Sequence, residues 1–241
     1  MRTAKWIIGL LVVLGLVGWY FLYRSPINPQ RILLFRKYIR DPESHPDWQI
    51  QPGERCNKAP FIFPTRGMVG FLWGDSFRLG HTHQGIDIFG GKKPGEVPVY
   101  AAYDGYLSRM PDWKSSLIIR IPADPLLPSR QIWTYYTHMA NQAGNSFISS
   151  QFPPGTTEVP VKAGTRLGYQ GDFSGDPDNP TGLHLHFSIV QDDGSGRFLN
   201  ELEFKNTLDP SDYFQLDLNA RKNIDKIPLC AILSEKVELG P

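Results

Sequence analysis

TGLHLHFSIV, residues 181–190, places apolar side chains at Leu183, Leu185, Phe187 and Ile189, every second position. Period-two alternation of this kind predicts a β-strand with one face turned to a core. The positions in between include His184 and His186, so two imidazoles share the other face of the same strand, side by side.

Similar short runs surround it. VPVYAAYDGYLSRM (97–110), SLIIRI (116–121), QIWTYYTHM (131–139) and RLGYQG (166–171) are rich in β-branched and aromatic residues, and Gly, Pro, Asp and Asn separate them. Long amphipathic helical patterns are scarce. The pattern predicts a mostly β protein built on antiparallel sheet, with polar surface loops at 140–160 and 172–181. No repeat of fixed period is present. The expected organisation is an N-terminal apolar segment (1–24), a connector (25–60), a β domain (61–215) and a weakly patterned tail (216–241). Among 241 residues the formal net charge is +1, which supplies no electrostatic footprint for a nucleic-acid partner.

The histidines carry the chemical signal. There are six, and five fall in HTHQGID (81–87), YTHM (136–139) and HLHF (184–187). A catalytic zinc takes three ligands from His, Asp, Glu or Cys and keeps a fourth position for water. His83 and Asp87 are four apart with Gly85 between them, and one histidine of the 184/186 pair completes a His-His-Asp set while the other stands beside it. An imidazole next to such a centre can take a proton or polarise a carbonyl. No HExxH segment is present, so a helical zinc site with a glutamate base is excluded, and histidines must do the acid–base work of any peptidase chemistry.

These blocks resemble the lysostaphin-type (LytM-like) zinc endopeptidases that cut peptidoglycan peptides. FIFPTRG (61–67) is similar to the family's opening strand, HQGIDI (83–88) to its H-x-G-x-D block and VPVYAAYDGYL (97–107) to a strand pair. YTHM (136–139) is similar to Y-x-H-L with Met for Leu, VKAGTRLGYQG (161–171) to a turn and strand, and TGLHLHF (181–187) to TG-x-HLHF. They occur in the family's order and cover about residues 60–190. The resemblance implies a sandwich-like antiparallel fold, a Zn2+ cofactor and a peptidoglycan peptide as substrate. It implies His83, Asp87 and His186 as zinc ligands and His138 and His184 as catalytic histidines, with His184 as base on the water and His138 as stabiliser of the tetrahedral oxyanion. His81 lies outside the pattern and is expected as a surface residue or a neighbour of the ligands. Two departures are extra residues around DPDNP (176–180) and a longer stretch from His138 to Val161; the resemblance implies that such loops wall the substrate groove. A member that has lost ligands would act as a regulator, but all five positions are filled here. A biotinyl- or lipoyl-type carrier, suggested by 161–168, would need an exposed Lys in a hairpin turn, and Lys162 does not sit in one.

At the N-terminus, WIIGLLVVLGLVGWYFLY (6–23) is uncharged and 18 residues long, enough for about 27 Å of helix against a bilayer core of about 30 Å. It lacks a small-x-small cleavage site, and aromatics flank it, which predicts an uncleaved transmembrane anchor. Arg2 and Lys5 precede it, while Arg24, Arg31, Arg36, Lys37 and Arg40 follow, so charge alone leaves the orientation open; a cell-wall substrate implies a domain outside the cytoplasmic membrane. RILLFRKYIR (31–40) reads equally as a basic helix on the lipid surface or as a helix docked on the domain. DPESHPDWQIQPGER (41–55) reads as a linker in which His45 is solvated. Cys56 and Cys230 are in no metal-type spacing; they form either a disulfide or two buried thiols.

Overall fold

A computed structural model describes residues 28–76 and 80–240, together with Gly15. The strands are β1 (Glu54–Cys56), β2 (Met68–Phe71), β3 (Ile86–Phe89), β4 (Pro98–Tyr100), β5 (Gly105–Ser108) and β6 (Leu117–Ile121). They continue with β7 (Ile132–Thr137), β8 (Val159–Val161), β9 (Arg166–Tyr169), β10 (Leu185–Gln191), β11 (Thr207–Leu208) and β12 (Leu233–Lys236). Helix α1 spans Pro29–Arg40 and the short α2 spans Ser211–Phe214.

The main sheet is antiparallel and runs β2-β3-β10-β7-β6-β5-β8, with β11 on the far half of the β10 edge that β3 uses. Its core face follows the alternation in each strand: Ile86 and Ile88, Leu117, Ile119 and Ile121, Ile132 and Tyr136, and Leu185, Phe187 and Ile189 are all buried in one cluster. Phe187 meets Tyr136 edge to face at 5.1 Å and Phe214 at 5.4 Å. The Tyr136 hydroxyl accepts a bond from the Ala102 amide, which lets a tyrosine lie within an apolar core. The two-stranded ribbon β4–β9 and the buried rings of Phe61 and Phe63 close this core.

The expected opening strand at 61–67 is buried but forms no continuous ladder. Its pairing is reduced to two isolated bridges, Thr65 to Val99 and Gly67 to Ile50, and Pro64 has no N–H to donate.

The connector is folded from Asn28 onward. The Asn28 side chain caps α1 by accepting from the Gln30 and Arg31 amides. Arg31 is fully buried, and its guanidinium donates to the Lys226 carbonyl at 2.8 Å and to the Asn223 carbonyl and side chain. Phe35 packs on Phe71 and Phe89 at 5.1 and 4.6 Å. Of the two readings of 31–40, docking on the domain is the one observed for this face. Residues 41–55 are not a free linker: they make two 3₁₀ turns and enter β1, and His45 stacks on Trp48 at 4.0 Å.

The tail also contributes structure. β12 pairs with β1, and Cys56 is bonded to Cys230, with Cα atoms 5.2 Å apart and 174 residues between them in sequence. No helix among the described residues is long and apolar enough to cross a membrane; the anchor expected at 1–24 lies outside the described residues, Gly15 excepted.

Candidate metal centre

The site lies on the face of β3–β10–β7 opposite the core. Register places His186 directly across from Asp87 on one side and from Thr137 on the other. His83 arrives from the segment before β3, which passes so close to β10 that a Cβ on Gly85 would stand 2.1 Å from the Phe187 carbonyl oxygen. Only glycine permits that approach, which gives the H-x-G-x-D spacing its physical reason.

Three donor atoms converge. His83 Nε2 is 3.0 Å from Asp87 Oδ1 and 3.0 Å from His186 Nδ1, and His186 Nδ1 is 2.9 Å from Asp87 Oδ1. Among the described residues this is the one group of three whose donor atoms could hold a metal ion. His83 Nδ1 lies 3.0 Å from the Leu72 carbonyl. A carbonyl only accepts, so the ring proton sits on Nδ1 and the Nε2 lone pair faces the cluster. A tetrahedral ion with ligands at about 2.0–2.1 Å holds its donors about 3.3 Å apart, so the three atoms need to spread only slightly. Lone pairs from two imidazoles and a carboxylate, each oriented by the fold, fit zinc.

Two further histidines flank the donors. His184 stacks on Phe89 at 4.8 Å, holds Nδ1 2.5 Å from the Gly182 carbonyl and places Nε2 3.4 Å from Asp87 Oδ1. His138 directly follows β7 with φ +70, a left-handed conformation uncommon for a non-glycine residue. That turn brings its Nδ1 to 2.7 Å from the Phe173 carbonyl and its ring to 4.6 Å from that of His184. Both rings therefore carry a proton on Nδ1 and turn Nε2 away from the carbonyl that holds them.

Electrostatics follow from enclosure. Burial opposes ionisation of Asp87, but His83 and His184 outweigh it and hold the carboxyl well below the usual carboxylate range. Burial likewise works against a charged His83, but Asp87 outweighs it and raises the imidazole. Burial lowers His186 despite the same carboxylate. His138 is pushed down to about 3, first by burial and then by His184 and His186.

All five residues singled out from the sequence line one cleft of about 620 Å³. His81 also lines it, with its ring 6.3 Å from that of His83. The 176–180 insertion supplies a wall through Asp176, Asn179 and Pro180, whereas residues of 140–160 are not part of the lining. Sequence reading missed Tyr135, Thr137, Gln84 and Glu201. Tyr135 and Thr137 share a face of β7, so alternation in QIWTYYTHM carried that signal; Glu201 comes from a loop with no local pattern.

No family model and no curated protein matches the chain. Among solved structures it is similar to the antimicrobial peptidase lysostaphin from Staphylococcus simulans, at 17% identity over 69% of this chain and with a TM-score of 0.37; it spans about half of that chain, 55%. It is also similar to the catalytic domain of that lysostaphin crystallized without phosphate (18% identity, 66% of this chain, 94% of the other, TM-score 0.38). A third is a mutant catalytic domain of the prophage-encoded M23 protein EnpA from Enterococcus faecalis (19%, 63% and 97%, TM-score 0.37).

Proposed function

We propose that this protein is a zinc-dependent endopeptidase that hydrolyses peptide bonds in peptidoglycan stem or cross-bridge peptides. The observation that carries the reading is the meeting of three metal donors, from His83, Asp87 and His186, with two further imidazoles on the wall of one open cleft. The order and spacing of the sequence blocks support the substrate class.

Zinc bound by those three side chains supplies Lewis acidity toward a water and a peptide carbonyl. The chain does the rest. His184 presents a lone pair at the edge of the donor cluster and takes the proton of the attacking water at Nε2. The same atom can then return that proton to the leaving amine. His138 also presents a lone pair, so it can donate to a developing oxyanion only after gaining a proton at Nε2. Burial and the neighbouring His184 and His186 oppose that proton in the metal-free site, so the oxyanion role needs a proton delivered to Nε2 during turnover. Phe89 and the Gly182 carbonyl fix the His184 ring, and the Phe173 carbonyl fixes His138, which keeps both Nε2 atoms aimed without rearrangement during turnover.

The membrane assignment is part of the same proposal: residues 6–23 anchor the chain in the cytoplasmic membrane, with the domain on the outer side. The apolar run supports it, as does the Cys56–Cys230 disulfide, a bond favoured in oxidising compartments.

The test is to incubate the purified protein with purified peptidoglycan, with and without chelator, and identify new peptide termini by mass spectrometry. One zinc per chain and chelator-sensitive new amino termini are expected. A metal-free protein that leaves peptidoglycan intact after zinc is added would replace the enzyme with a binding or regulatory role.

A further inference from the structure

Helix α1 uses one face to dock, through Arg31, Phe35 and Tyr38. On the other, Leu33, Arg36, Lys37 and Arg40 follow the i, i+3, i+4, i+7 spacing of a single stripe. Leu33 is 65% exposed, and Arg36 and Arg40 make no ion pair or side-chain hydrogen bond among the described residues. At the start of the helix the Asn28 side chain donates to the Ile224 carbonyl, which puts a second apolar side chain, 59% exposed, beside the point where the chain enters the domain.

The chain outside the described residues limits where this face can be. The uncharged run ends at Tyr23, and the five steps from Tyr23 to Asn28 span at most about 18 Å. The headgroup layer occupies about 5–7 Å of that distance on each side of the bilayer. The twelve-residue helix is itself about 18 Å long, so a domain tethered this closely brings the whole stripe within reach of the lipid surface. Basic residues just outside an outward-facing anchor run against the usual charge bias of membrane proteins. Arg31 has a structural use in holding residues 223–226 and the Lys37 ammonium lies 5.1 Å from the centre of the Trp48 ring, but Arg36 and Arg40 have no comparable use. Their charge complements anionic headgroups.

We propose that the outward stripe of α1, with Ile224 beside it, rests on the headgroup layer of the membrane that residues 6–23 enter, Arg36, Lys37 and Arg40 facing anionic phosphates and Leu33 inserted between them. The proposal depends on the anchor reading above. It makes α1 a spacer that sets the domain against the bilayer rather than a loose tether.

The test uses the full chain in vesicles, with an environment-sensitive fluorophore on Leu33→Cys and, separately, on Ser195→Cys in the turn beyond the other end of β10. Nitroxide-labelled phosphatidylglycerol vesicles are expected to quench the label at 33 and not at 195. Quenching should weaken in pure phosphatidylcholine vesicles, in high salt and in Arg36→Gln/Lys37→Gln/Arg40→Gln, with peptidoglycan cleavage in detergent unchanged. A chain retained after carbonate extraction but unquenched at 33 overturns this contact and leaves the anchor standing. A chain released by carbonate overturns both. Equal quenching in the two lipids overturns the role of the basic residues.

Discussion

On one face of β10, Leu185, Phe187 and Ile189 are enclosed by other apolar side chains; on the opposite side, His186 and, one residue before the strand, His184 are nearly as enclosed but surrounded by acceptors. One seven-residue strand thus serves two purposes at the spacing of a single residue. The core face gains stability from contacts that any well-fitting apolar side chain could make. The site face holds lone pairs in register, which adds nothing to folding unless a cation or proton arrives. Substitutions on the two faces should therefore be read out in different quantities, and a residue that moves both would blur the distinction.

The largest effect is expected at Asp87. Asp87→Ala removes the atom that both His83 and His186 face, so zinc retention and peptidoglycan cleavage should both be lost, measured by metal content and release of new termini. His184→Ala should keep zinc and lose about 10²–10⁴-fold in turnover, the usual contribution of a positioned base; full turnover would remove His184 from the chemistry. Phe187→Ala, the neighbour on the other face, should cost about 3–5 kcal/mol in urea unfolding of the metal-free protein. Cys56→Ser with Cys230→Ser should cost about 2–5 kcal/mol, with zinc bound as before, since the staple joins β1 to the tail and not to the cleft.

The smallest effect is a slope. In the metal-free protein His138 titrates near 3, against about 6.5 in an unfolded chain. Between those values the unfolded state binds the proton and the folded state does not, so this contribution is complete above about pH 6.5 and is lost as pH falls toward 3. His138→Asn, which also tolerates the left-handed backbone, should flatten that acid limb by up to about 1.4 kcal/mol per pH unit. An unchanged slope would show that the ring is not enclosed as described.

The difference between the faces was legible in the sequence, because a strand translates alternation directly into sides. That His83, Asp87 and one histidine of the 184/186 pair would meet was legible as well, since these types are rare and their clustering is not expected of surface histidines. What escaped was set by partners distant in sequence. Residues 61–67 look like a strand, but Pro64 and the crowding of Phe61, Ile62 and Phe63 leave only two isolated bridges. Whether 31–40 lay on lipid or docked on the domain stayed open in the sequence because the buried use of Arg31 depends on carbonyls near residue 225. β12 is a strand only because β1 is there to receive it. Phe89, which carries the His184 ring, looks like any core aromatic until β3 and β10 are laid together.

His83 and Asp87 lie four residues apart, but the partner that completes their cluster is 99 residues beyond Asp87. During synthesis, no more than two of the three donors exist until His186 has emerged, and β10 must then insert between β3 and β7 before the donors meet. A nascent chain that still lacks β10 therefore cannot form the three-donor cluster. The order of the chain itself therefore delays assembly of the cluster until most of the domain has been made.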